Sequence, residues 1–194
     1  MSILSKTSIS SFILVAALGS QLTACVPVVA GGAAAGGLMA ADRRSSGAYI
    51  EDQEIELKAS KAIDDSLKSN VHANITSYNR HVLITGEVSN EANKAKAESL
   101  VKPIQNVNSI NNQLVIGANS SISARSNDAY ITSKVKTNFL TENKFAANHV
   151  KVVTENGTVF LLGLVTHKEG DDAAEIARTT SGVKKVVKDF EYID

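Results

Sequence analysis

"VKVVTENGTVFLLGLV", Val150 to Val165, and "ANITSYNRHVLITGEV", Ala73 to Val88, are two copies of one pattern. Each alternates apolar and polar residues, breaks at a turn, resumes as an apolar run and places a glycine two residues before a valine. A period of two marks a strand, so each copy reads as two strands joined by a turn. In the later copy the turn is Asn156-Gly157, the strongest short hairpin signal, because both residues accept positive φ. The earlier copy has Asn79-Arg80 instead. Arg80 suits such a turn poorly, which predicts a longer or looser hairpin there.

The likeness extends outward on both sides. Gly86 and Gly163 stand 77 positions apart, and "NVNSINNQLVI" (Asn106 to Ile116) aligns with "GVKKVVKDFEY" (Gly182 to Tyr192) at a shift of 76. Upstream, Asp52, Ile55, Ala59 and Ile63 match Asp128, Ile131, Val135 and Phe139 at that shift. Such self-similarity predicts two tandem modules. In each, a helix opens after Asp52 or Asp128, read as a first-turn acid or cap, with apolar residues three and four apart. The hairpin follows, then a helix through "EANKAKAESLV" or "EGDDAAEIART", then a closing strand. The expected class is α+β, with each module α-β-β-α-β and two helices packed on one face of a three-stranded mixed sheet. Glycine inside a strand often marks close backbone approach, so Gly86 and Gly163 are expected to be structural, a side chain there disturbing the strand end or the helix above it.

The first residues carry a different signal. Lys6 precedes the apolar stretch "FILVAALG" (Phe12 to Gly19), too short to cross a bilayer and of the length used by secretory signals. Leu22-Thr23-Ala24-Cys25 matches the four positions of a bacterial lipobox, and Cys25 is the single cysteine. Its sulfur can take a diacylglyceryl group before cleavage. The expectation is a lipoprotein whose Cys25 carries N-acyl and S-diacylglycerol groups, with no other cofactor and no metal. Val26 stands where Asp would mark inner-membrane retention, which points to the outer membrane and a periplasm-facing domain. The expected layout is signal peptide 1–24, lipidated N-terminus and Gly/Ala-rich tether 25–47, first module 48–118, linker 119–126 and second module 127–194. Arg43 and Arg44 read as a solvated pair within that tether.

Twenty basic residues balance twenty acidic ones, so the strongly basic face of a nucleic-acid binder is missing. The four histidines show no metal-ligand spacing, and His72 and His149 read as surface residues ahead of the first strand. No phosphate loop or nucleophile elbow occurs. The adjacent acids Asp64-Asp65 and Asp171-Asp172 diverge on a helix, so an enzyme is not expected.

The marks "NGTVFLLGLV" and "SGVKKVV" in the second module, with "HVLITGEV" and "QNVNSI" in the first, resemble the BON domain. Asn106 stands in the first where a glycine is usual. The resemblance covers residues from about 49 to the end. With the lipobox, the chain is similar to the dual BON-domain lipoproteins of Gram-negative outer membranes. That resemblance implies a non-enzymatic protein at the inner leaflet of the outer membrane. It implies binding of anionic, phosphatidylglycerol-like phospholipid through the second BON domain. It also implies presence at division sites, and support of envelope integrity and outer-membrane protein assembly.

On the residues, the first helix of the second module is the candidate lipid site. Tyr130 with Lys134, and Lys136 with Leu140, sit one turn apart beside the core stripe of Ile131, Val135 and Phe139. A tyrosine suits the interface, and a lysine stem lies on acyl chains while its ammonium meets phosphate. The matching helix of the first module is acidic at both ends. A second reading is a protein-interaction module docking on the barrel-assembly machinery without direct lipid recognition.

Overall fold

The computed structural model describes residues 42–194, which lie in one compact unit; the expected signal peptide and Cys25 fall outside the described residues. Four helices and seven strands run in the order α1 (Ser46–Leu67), β1 (Val71–Tyr78), β2 (His81–Val88), α2 (Glu91–Val101), β3 (Ser109–Asn112), β4 (Val115–Ile116), α3 (Ile122–Glu142), β5 (Lys151–Glu155), β6 (Thr158–Val165), α4 (His167–Thr179) and β7 (Lys185–Tyr192). This is an α+β fold repeated in tandem. In each module an antiparallel hairpin is extended by a parallel strand, giving the orders β1-β2-β3 and β5-β6-β7. In the first module the closing strand is broken. Both β3 and β4 pair with β2, and Leu114 between them turns into the core at 1% exposure.

Each helix pair buries one face of its own sheet. Ile55, Ala59 and Ile63 of α1 pack with Val82, Ile84 and Val88, and Ile131, Val135 and Phe139 of α3 pack with Val159, Leu161 and Val165. The other faces cover each other. Tyr78 and Leu83 of the first sheet meet Phe160, Leu162 and Leu164 of the second, with Val153 and Val187 beside them. The chain is therefore four layers, helices outside and two sheets within.

Helix α1 starts at Ser46, whose preceding Ser45 side chain accepts from the Ala48 amide. Its start lies ahead of the expected boundary at 48. Similarly α3 starts at Ile122 behind a Ser121 cap, inside the stretch read as linker. The arginine pair is not solvated. Arg44 ion-pairs with Asp42 and buried Asp52 and lies 4.2 Å over the Tyr78 ring, while Arg43 forms a two-pronged pair with Glu169. Consecutive arginines thus clasp one module each.

Two other expectations change. Asp52 and Asp128 are not at helix starts: each is buried inside its helix and holds the hairpin turn opposite. Asp52 accepts from the amides of Asn79 and Arg80, and Asp128 from those of Asn156 and Gly157. The first hairpin is as tight as the second, with Tyr78 opposite His81 and φ of 50° and 66° at Asn79 and Arg80. The buried carboxylate holds Arg80 in the left-handed region that its side chain disfavours.

Candidate functional site

Helix α3 turns Ile131, Val135 and Phe139 inward, and this fixes what remains outside. Tyr130 is 62% exposed and Leu140 69%, and Lys136 is exposed. Lys134 behaves differently. Its ammonium lies 4.8 Å over the Tyr130 ring and donates to the Ser181 carbonyl just beyond α4. At about 100° per residue, Lys134 and Lys136 fall on opposite flanks of the outer face, so they do not form one cationic patch. The face also carries Ile122, 82% exposed, about five turns before Leu140 and in line with it. The sequence reading missed Ile122 because it assigned residues 119–126 to a linker.

The equivalent face of α1 also exposes large apolar residues, Ile50 at 62% and Leu57 at 72%. Apolar exposure therefore does not separate the two helices; charge does. Helix α1 has six acids against Lys58 and Lys61, whereas α3 has Arg125, Lys134 and Lys136 against Asp128 and Glu142. Asp128 is buried, which leaves the surface of α3 more basic still.

Gly86 and Gly163 sit where expected, for a sharper reason than strand-end packing. A Cβ on either would run into a backbone carbonyl, that of His72 for Gly86 and that of His149 for Gly163. Gly86 also has a φ of 116°, which side chains rarely adopt. In the closing loops Asn106 and Gly182 share a positive φ, at 69° and 99°, so asparagine fills that glycine position without a change of backbone.

The seam between the sheets is apolar at its centre and polar at its rim. Asn74 donates to Glu155, Asn156 to Glu87, Asn111 to Asp189 and Asn79 to Glu191, each between modules. Lys151 ties β5 to Glu56 of α1 at 2.8 Å. Beside the Asn79-Arg80 turn, hydrogen bonding to Asp189 raises the His81 pKa, outweighing the opposing effect of burial. Beside it a cavity of about 230 Å³ is lined by Tyr78, His81, Ser109 and Asp189. Ahead of α1, the Arg43 hydrogen bonds pull the Glu169 carboxyl down to about 2. His149 lies 3.4 Å from the same carboxylate, and His72 lies 3.0 Å from Glu87. Neither histidine is the free surface residue expected, since both side chains are more than four-fifths buried.

Comparison with known proteins bears on both modules. The BON domain family model matches residues 51–118 and again 127–194. The chain is 39% identical over 175 residues to the outer membrane lipoprotein DolP of Haemophilus influenzae, covering 89% of this chain and 91% of that one. It is 33% identical over 154 residues to a 21 kDa hemolysin of Actinobacillus pleuropneumoniae, covering 78% and 79%. The osmotically-inducible protein Y of Escherichia coli is 29% identical over 150 residues, covering 75% and 74%.

Proposed function

The chain belongs to the BON-domain family, as a dual BON-domain protein of the DolP type, and on that footing we propose that it is a non-enzymatic outer-membrane lipoprotein. Cys25 carries the acyl chains and holds the two domains against the periplasmic leaflet. The second domain binds anionic phospholipid through α3, and the protein supports envelope integrity, including at division sites. The observation that carries this reading is the outer face of α3, where Tyr130 and Leu140 are exposed beside Lys136 on the less acidic of two equivalent helices.

The energetics suit a tethered contact. A lysine near an anionic leaflet contributes roughly 1 kcal/mol, and full burial of a leucine-sized side chain about 1.5–3 kcal/mol. Such contacts are weak for a free protein. They suffice for one whose anchor already supplies a high effective concentration. Because Lys134 is held by Tyr130 and Ser181, Lys136 and Leu140 carry more of the binding than Lys134 does.

The test is co-sedimentation of the chain from Asp42 onward with phosphatidylglycerol and with phosphatidylcholine vesicles. The parent is expected to bind the former and to release partly as salt shortens the Debye length from about 10 Å at 0.1 M to about 3 Å at 1 M. Lys136→Glu and Leu140→Glu should each weaken binding severalfold with the circular dichroism spectrum unchanged. Folded variants that bind as the parent does would remove α3 as the lipid site.

A further inference from the structure

Where the open end of the first hairpin meets the Asn156-Gly157 turn of the second, three side chains converge that no strand pattern would have grouped. We propose that His72, Glu87 and Glu155 form a binding site for a divalent transition cation of the zinc class, bridging the two BON domains. Their ligand atoms all lie within 4.8 Å of one another, and they come from β1, β2 and β5, so both domains contribute. One imidazole and two carboxylates is a donor set such cations accept, and a tetrahedral site of this kind keeps its fourth position for water.

The surroundings are those of held ligands. Asn156 and the Ser120 amide donate to Glu87, and Asn74 donates to Glu155, so each carboxylate is oriented by groups that are not ligands. Glu87 is 3% exposed and Glu155 8%, a costly burial for two like charges. His72 is the basic group that bears on both of them, while Asp128 adds further negative charge near Glu155.

An independent sign comes from Thr85. It is 1% exposed and its hydroxyl has no hydrogen-bond partner. Asn74 pairs with Thr85 two rungs from His72 and Glu87, and residues two apart share a sheet face. The orphaned hydroxyl therefore belongs to the sheet face that carries the cluster. His72, with 18% of its side chain exposed, leaves the route by which a cation enters.

The experiment uses full-length protein purified from membranes in detergent, stripped with a chelator and titrated with Zn²⁺ by calorimetry and with Co²⁺ by visible absorption. One equivalent per chain is expected, with a d–d spectrum of low-coordinate Co²⁺ and a rise in melting temperature. His72→Gln and Glu155→Gln should each weaken binding at least about tenfold while their metal-free forms melt cooperatively. Glu155→Gln keeps the shape of the side chain and removes an unfavourable buried charge, so its fold is expected to survive if His72→Gln proves unstable. His81→Gln, at the opposite end of the seam, should leave the affinity unchanged. The absence of saturable binding, or binding undiminished in the folded Glu155→Gln variant, would overturn the proposal.

Discussion

In the first BON domain the hairpin turns on Asn79-Arg80, and in the second on Asn156-Gly157, yet both turns have positive φ at both residues and the same two-amide grip from a buried aspartate. What differs is how much surrounds the aspartate. Asp128 holds its turn with two amide bonds. Asp52 also accepts from the Ser77 hydroxyl at 2.6 Å and pairs with Arg44 at 2.8 Å. The turn with the less suitable residue has the larger network. A left-handed conformation costs a non-glycine residue about 1–2 kcal/mol, and charge-assisted hydrogen bonds of about 1.5–3 kcal/mol each offset it. Backbone conformation is thus set by the helix behind the turn as much as by the residues within it.

That comparison can be broken most forcefully at the glycines. Gly86→Ala and Gly163→Ala both place a Cβ against a backbone carbonyl, that of His72 or of His149, and only Gly86 adds an unfavourable φ. Urea unfolding should show both variants strongly destabilised, Gly86→Ala by about 4–5 kcal/mol or more and Gly163→Ala by less. Equal losses would mean that φ contributes nothing beyond the collision.

The aspartates sharpen it next. Asp52→Ala strips partners from two amides, a hydroxyl and a largely buried guanidinium, and is expected to cost about 3–5 kcal/mol. Asp128→Ala strips two amides and should cost about 2–3 kcal/mol. Amide exchange at residues 79 and 80, against 156 and 157, would show each loss in its own domain. A larger loss from Asp128→Ala would refute the role given to Arg44.

The smallest effect has the opposite sign. Arg80→Gly makes the first turn chemically like the second and removes the left-handed penalty, at the cost of an ion pair with Glu51 whose two side chains are each about a third exposed. A gain of about 0.5–1 kcal/mol in urea unfolding is expected. No gain would show that the Asp52 network already absorbs the strain.

Much of the fold was legible in the chain. The repeat announced two modules, alternation gave the strands, and Asn156-Gly157 gave a turn that the structure confirms. The tight first turn was not legible, because Arg80 alone argues against it and the compensating carboxylate lies 28 residues upstream. The same distance hid the roles of Asp52 and Asp128, which resemble helix-start acids until the hairpin folds back. The outer stripe of α3 could be drawn from helical spacing, whereas the capture of Lys134 by Tyr130 and Ser181 could not.

The sequence by itself determined the order of elements, the inward faces of the helices and the need for glycine at 86 and 163, because these follow from local periodicity and from backbone geometry repeated twice. Only the tertiary structure decided what covers the second face of each sheet. The apolar run of β6, with Phe160, Leu162 and Leu164 on alternate positions, fits a strand buried on both sides, but a run of that kind does not name its partner. Packing supplied it: each sheet leaves one face apolar, and burying the two against each other removes both from water. That contact then brought His72, Glu87 and Glu155 together across 83 residues of chain, a neighbourhood no local pattern encodes.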